Sequence, residues 1–268
     1  MATNNQNSRA AREAAATAKA QAKAQQKARD RKVTLIGIGV VVAVVSILGV
    51  LGVVSVNKHN QALTGPLPTG VTSDTYGVKV GPAWKAANAD SIPKLQLWED
   101  FQCPACGALE KNSGATILNL AETGKVRLEW RPTTFLDQNL TQQNNAAGNP
   151  LSSLNATMAF GCAVDAGKAQ AFHSIVFAHQ PKTEGAGYSA TDMTAAAQAV
   201  GITGPALKTF NSCLATSKYK NWANDSFTKF NDAGVTQTPT GVLNGKEMQQ
   251  ATLYDPNALK KAIADATK

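Results

Sequence analysis

The chain has 268 residues, with 26 Lys/Arg against 18 Asp/Glu and a net charge of +8. A basic total of this size invites a nucleic-acid reading, but residues 1–32 hold eight of the bases and two of the acids. The other 236 residues therefore carry 18 bases against 16 acids, too even a balance for the basic footprint that nucleic-acid binding requires.

Residues 1–32 form a tail rich in Ala, Gln and Lys and low in complexity. Lys19, Lys23, Lys27 and Arg31 recur every fourth residue, so a helix would carry them as one basic stripe that could grip anionic lipid heads. The plainer reading, a solvated cytoplasmic tail whose charge sets topology, is preferred. Residues 33–56, "VTLIGIGVVVAVVSILGVLGVVSV", follow without a single charge. About 20 apolar residues span a bilayer core, so this run predicts a single transmembrane helix. A cleaved secretory signal has a shorter apolar region, about 7–15 residues, ending at a small-residue site. The exit Val56-Asn57-Lys58 offers no such site. Arg29, Arg31 and Lys32 abut the start of the span, and only Lys58 and His59 follow its end closely. The positive-inside rule then keeps the N-terminus in the cytoplasm and puts residues 57–268 outside. All four cysteines, Cys103, Cys106, Cys162 and Cys213, fall in a compartment where disulfides persist.

Residues 57–75 are rich in Gly, Pro, Thr and Asn and read as a linker holding a domain off the membrane. From residue 76 the pattern becomes globular. "YGVKV" (76–80) is a short strand, and "KLQLWEDF" (94–101) alternates as a strand with Leu95, Leu97, Glu99 and Phe101 on one face. A helix is predicted from Pro104 to about Thr123, interrupted around Asn112-Ser113-Gly114 and stopped at Gly124. "KVRLEWRP" (125–132) is another strand, and about 141–233 is one long helix-favouring stretch. "TGVLNG" (240–245) is a strand entering an Asn-Gly turn. The last residues form a helix with Asp255 as N-cap and Pro256 at its first position. Strands at both ends with helices between them predict an α/β core interrupted by a helical subdomain.

Cys103 and Cys106 stand two residues apart in "FQCPACGALE". A structural zinc site needs four ligands, and no second Cys-x-x-Cys pair exists; His59, His173 and His179 show no ligand spacing with any cysteine. No metal or cofactor is called for. As a staple, a 103–106 bridge closes too short a loop to restrain the unfolded chain much. Strand-then-helix is instead the context in which such a pair reads as a redox centre. Cys103 at the N-cap would receive the free N–H groups and positive end of the helix, which depresses its pKa; Cys106, one turn on, would face inward as the resolving thiol. Cys162 and Cys213 lie among apolar neighbours and are read either as a structural pair or as two buried free thiols, the pair being favoured. Closing a loop of roughly 50 residues would stabilise by about 4 kcal/mol. Thr238-Pro239, just before the strand at 240, suggests a turn in which an X-Pro bond can be cis.

Together, "LWEDFQCPACGALE", "KVRLEWRPTTFLD", "FGCAVDAGKAQAFHSIVFAHQP" and "GVTQTPTGVLNGK" resemble the DsbA-like thiol–disulfide oxidoreductases, in particular the membrane-anchored members of Gram-positive actinobacteria. The resemblance covers about residues 76–268 and implies a thioredoxin fold with an inserted helical domain, here about 141–233, preceded by the single transmembrane helix. It implies that Cys103 is the attacked sulfur and Cys106 its partner, and that Thr238-Pro239 forms a cis-proline loop pairing with an extended substrate. It also implies an acid beneath the cysteines, Glu99 first and Asp100 second, and an extra structural disulfide, Cys162–Cys213. The implied partners are unfolded exported proteins with free thiols and a membrane quinone-linked reoxidising protein. The best-known members carry histidine where this chain has Ala105, so a less extreme oxidant is expected. The rival readings are a reductase or isomerase kept reduced by a membrane electron donor, and a non-catalytic tethered peptide-binding module.

Overall fold

The computed structural model describes residues 65–267; the expected tail (1–32), span (33–56) and residues 57–64 of the linker lie outside the described residues. No helix among the described residues is long and apolar enough to cross a membrane.

Five strands form one sheet: β1 (Val78–Val80), β2 (Lys94–Glu99), β3 (Arg127–Pro132), β4 (Thr240–Leu243) and β5 (Lys246–Glu247), in the order β1-β3-β2-β4-β5. β2 and β3 run parallel with Leu97 opposite Trp130, and the other neighbours are antiparallel. A parallel pair needs a crossover. Here it consists of α1 (Pro104–Leu109), a π-helical turn (Glu110–Gly114) and α2 (Ala115–Glu122). The expected break near Ser113 is thus a wider turn within a continuing helix. Leu95 and Leu97 on β2 and Leu128 and Trp130 on β3 are fully or almost fully buried, which seats β2 at the centre of the sheet.

The return from β3 to β4 is helical throughout: α3 (Phe135–Asn139), α4 (Thr141–Ala146), α5 (Ser152–Asp165), α6 (Ala169–Ala178), α7 (Ala190–Ala199), α8 (Gly204–Ala215) and α9 (Lys220–Asp232). The stretch read as one run from 141 to 233 is therefore six helices, with α3 just ahead of it. Composition shows that a run favours helix but not where it folds back. Here α5, buried along nearly its whole length, is the post against which α6, α8 and α9 pack. A helix apolar on every side has to be central.

After β4, Asn244 and Gly245 take φ of 48° and 81°, the paired left-handed conformations of a two-residue hairpin turn, which Asn-Gly tolerates best. α10 (Gln250–Tyr254), not anticipated, precedes α11 (Pro256–Asp265). The Asp255 carboxylate caps α11, accepting from the N–H groups of Asn257 and Ala258 at 2.8 and 3.2 Å. Within the stretch read as a linker, residues 65–75 lie on the domain. Val71 is buried and Leu67 packs against the core, while the N–H and hydroxyl of Thr69 both donate to Asp165. Two apolar anchors in a Gly/Pro/Thr-rich stretch are too few to show in its composition.

Candidate active site

α1 begins where β2 ends, and this junction sets the chemistry. Cys103 is the N-cap, with extended φ/ψ, and Pro104 takes the first helical position, where its missing N–H leaves no bond unmade. The Cys103 Sγ lies 3.3 Å from the carbonyl oxygen of Thr238, to which its thiol donates. The Thr238–Pro239 peptide is cis. Cys103 retains 7% exposure and Cys106 none, so one sulfur meets the surface and the other lies behind it. Both are free thiols in this structure.

The two thiols are driven in opposite directions. The Cys106 thiol, as hydrogen-bond donor, lowers the pKa of Cys103 most; burial opposes it, and the N–H groups of Cys106 and Ala105 add to the lowering, leaving the value at about 6. Burial pushes Cys106 well above the ordinary thiol range, with the bond and charge of Cys103 adding to it. A nucleophile that ionises near neutrality beside a partner held neutral is an asymmetric pair suited to thiol–disulfide exchange.

Of the two candidate acids, Glu99 belongs to the cysteines and Asp100 does not. Glu99, the last residue of β2, is buried; burial and then the Cys103 thiolate raise its pKa well above the carboxylate range. Asp100 has left the strand, and its carboxylate turns away into the seam with the helical insertion. It accepts from the N–H groups of Gln102 and Leu136 and from the Ser153 hydroxyl, at 2.9, 2.9 and 2.6 Å. Burial lifts it to about 7 against those bonds. Around it Gln102 bonds to Ser153, Asp137 and Asn144, a polar seam tying the active-site loop to α3, α4 and α5.

Several residues that the sequence did not mark complete the site. Gln180 Nε2 donates to the carbonyl oxygens of Phe101 and Cys103 at 2.8 and 2.9 Å, and the Tyr188 hydroxyl donates to Phe101 at 2.9 Å. The Tyr254 hydroxyl donates to the carbonyl of Ala105, between the cysteines, at 2.8 Å. Beneath them His173 is buried, stacked on Trp130 at 4.0 Å, with Nε2 3.1 Å from Glu99 Oε2 and Nδ1 3.8 Å from Glu110 Oε2. Glu99, Glu110 and His173 place one potential ligand atom each within 4.8 Å of one another, the one such grouping among the described residues. Within the group the imidazole bonds to Glu99 through Nε2, and the Glu110 carboxyl hydrogen-bonds to that of Glu99, so the three are held by one another. Glu110 was legible in principle, since 103, 106 and 110 share a helix face. His173, Gln180, Tyr188 and Tyr254 come from distant elements and carry no local signal.

A family profile described as thioredoxin matches residues 87–265, spanning the cysteine pair, the helical insertion and the proline loop. The chain belongs to the thioredoxin family. Solved structures agree with this thioredoxin-family fold. The MdbA thiol-disulfide oxidoreductase of Actinomyces oris is 22% identical, with a TM-score of 0.60 over 78% of this chain and 94% of that one. Oxidised DsbA of Mycobacterium tuberculosis is 23% identical, with a TM-score of 0.57 over 71% and 92%. Oxidised BdbD of Bacillus subtilis is 17% identical, with a TM-score of 0.58 over 78% and 99%. At these identities the likeness establishes the fold. No curated protein matches the sequence. In this thioredoxin-family chain Cys162 in α5 and Cys213 in α8 form a disulfide with Cα atoms 6.0 Å apart.

The depressed Cys103 pKa makes stability depend on pH in the reduced form alone. A thiol that ionises at about 6 when folded and at its ordinary 9.0 when unfolded contributes stability that is fully present above pH 9.0 and lost as pH falls through 6. At 1.36 kcal/mol per pH unit, the reduced form gains about 1.4 kcal/mol on the oxidised form by pH 7 and about 4 kcal/mol by pH 9. Urea unfolding of both forms between about pH 5 and pH 9 reads the gap. A gap that does not change with pH contradicts the assignment of Cys103 as the ionised sulfur.

Proposed function

We propose that the chain is an extracytoplasmic, membrane-tethered thiol–disulfide oxidoreductase that donates a Cys103–Cys106 disulfide to exported proteins. The observation that carries this reading is the asymmetric pair: Cys103 at the head of α1, ionising at about 6 opposite the Thr238 carbonyl, with a neutral Cys106 behind it. Stabilising the Cys103 thiolate stabilises the reduced enzyme, so its disulfide is the better oxidant. A substrate thiolate attacks Cys103 and Cys106 departs; a second substrate thiolate then attacks the substrate sulfur of the mixed disulfide and releases Cys103. The A. oris relative is a thiol-disulfide oxidoreductase and the M. tuberculosis relative a DsbA, which supports the reaction class. The charge-free run 33–56 and the basic residues before it support the tether and its orientation. The Cys162–Cys213 bond supports an oxidising compartment. The substrates are unfolded exported proteins with free thiols, and a membrane quinone-linked protein restores the disulfide.

A thiol pKa of about 6 lies between the ~7 of thioredoxin and the ~3.5 of DsbA, in keeping with Ala105 supplying no cation between the cysteines. The reduction potential is therefore expected between about −270 and −120 mV. Equilibration with glutathione measures it, and the oxidised protein is expected to speed disulfide formation in a reduced, unfolded ribonuclease. A potential at or below that of thioredoxin, with no ribonuclease oxidation, would turn the reading toward a reductase.

A further inference from the structure

We propose that Gln250 and Tyr254 are positioning residues for the exchange reaction, holding from one face of α10 the two backbone segments that flank the Cys103 sulfur. The proposal rests on the reading of Cys103 as the reacting sulfur and adds what fixes its surroundings.

The geometry is that of a clamp with two arms. Gln250 Nε2 donates to the carbonyl of Pro239 at 2.8 Å, and the Tyr254 hydroxyl donates to the carbonyl of Ala105 at 2.8 Å. Pro239 follows the cis bond from Thr238, whose own carbonyl lies 3.3 Å from Cys103 Sγ; Ala105 lies between the cysteines. Residues four apart in a helix project from one side, so a single turn of α10 reaches both segments.

The helix that carries the arms is itself fixed. Leu253 is fully buried and rests on Gly241 of β4 so closely that a Cβ there would lie 2.6 Å from Leu253 Cδ2. α10 packs against the π-helical turn as well as against β4. Ahead of it the Met248 N–H donates to the Gly241 carbonyl at 2.8 Å, and behind it Asp255 caps α11. α10 cannot shift without breaking one of these contacts.

Each arm bears on a group that favours the Cys103 thiolate. The carbonyl of Ala105 and the N–H of Cys106 belong to one peptide unit. A hydroxyl donating to its oxygen polarises the unit, and the N–H, one of the groups that lower the Cys103 pKa, becomes the stronger donor. From the other side the Thr238 side chain lowers the same pKa, and Gln250 holds the residue next to it. Burial, and then the charges of Cys106 and Cys103, push the Tyr254 hydroxyl up to about 12, so it is a donor throughout the range in which Cys103 titrates. Cys103 is the sulfur released from the mixed disulfide, and a sulfur of lower pKa leaves faster. Both residues act through backbone carbonyls.

The test is alkylation of the reduced full-length chain by iodoacetamide between about pH 4 and pH 9. The thiolate is the nucleophile and Cys106 is fully buried, so the midpoint of the rate profile reads Cys103. Both clamp side chains are half-buried, which lets the variants fold. Tyr254→Phe removes only the hydroxyl and Gln250→Leu only the amide. Each is expected to move the midpoint upward by about 0.5 to 1 pH unit, the scale of one net hydrogen bond. A clamp released on either side no longer fixes one segment against the other, so the double variant is expected to shift by less than the sum. Thr252→Ala, on the same helix but lining a groove with Leu243, Met248 and Ala262, is expected to keep the wild-type midpoint. An unmoved midpoint in either single variant overturns the proposal whatever the melting temperature does, since a structural role would lower stability alone. Shifts that add in full overturn it as well, by showing two independent supports. Iodoacetamide needs only a Cys103 thiolate, so shifted midpoints without ribonuclease oxidation would support the clamp and refute disulfide donation alone.

Discussion

Cys103→Ala is expected to reduce disulfide transfer to the rate seen without protein, and Cys106→Ala to convert turnover into a trapped adduct. The chain has four cysteines, and Cys162 and Cys213 are bonded to each other, so no other thiol can take over. Between the two that remain, exposure and ionisation select one. Cys103 is the sulfur at the surface, mostly thiolate at pH 7 with a pKa of about 6, whereas Cys106 is fully buried and held neutral. An attacking thiolate must approach along the S–S axis from the open side, which is that of Cys103. Without Cys106, a mixed disulfide between Cys103 and a substrate has no internal thiol to resolve it. Mass spectrometry under non-reducing conditions is expected to show the Cys106→Ala adduct that forms when its Cys103 thiolate attacks a disulfide-linked peptide and releases one half as a thiol, and the loss of that adduct on reduction. Turnover by Cys103→Ala, or an adduct on Cys106 in that variant, would reverse the assignment.

How far this site could be read before the fold was known depends on the distance over which each residue acts. Cys103, Pro104 and Cys106 are local: the strand before them and the helix after them fix the N-cap, and one short stretch suffices. Thr238 is 135 residues away from Cys103, yet a Thr-Pro ahead of a strand leaves a local trace. Glu99 and Asp100 defeated the period-two argument because β2 ends between them. Both are buried, so partners rather than alternation decide: Asp100 is held by Gln102, Leu136 and Ser153, while Glu99 feels the charge of Cys103. His173 was visible only as a histidine with no cysteine at ligand spacing, a test framed for zinc that says nothing of a ring held between two acids. Gln180, Tyr188 and Tyr254 act through backbone carbonyls, which any sequence offers, so only the folded chain shows what they hold.

The largest effect on stability is expected from the helical insertion rather than from the redox pair. Cys162 and Cys213 are separated by 51 positions, and closing that loop in the unfolded chain corresponds to about 4 kcal/mol in the chain-entropy account. Replacing both by alanine is expected to remove most of that and to lower the melting temperature by about 10 °C for a domain of this size. Cys103, ionising at about 6 at the head of α1, makes the 103–106 bond the easier to reduce, whereas Cys162 and Cys213 lie inside α5 and α8 away from a helix start, so mild dithiothreitol is expected to reduce one bond and spare the other. The consequence reaches the chemistry through packing. The bond pins α8 to α5; α6, which leads into Gln180, packs on α5, and α7, which follows Tyr188, packs on α8. Those two side chains hold the carbonyls of Phe101 and Cys103. Loosening the insertion therefore loosens the turn that presents the Cys103 sulfur. The Cys162→Ala/Cys213→Ala double variant, assayed well below its melting point, is expected to transfer disulfides several-fold more slowly with the Cys103 pKa shifted toward the ordinary thiol value. Full transfer rate with lowered stability would show that the insertion braces the fold but not the sulfur, leaving the seam around Asp100 and Gln102 as the brace.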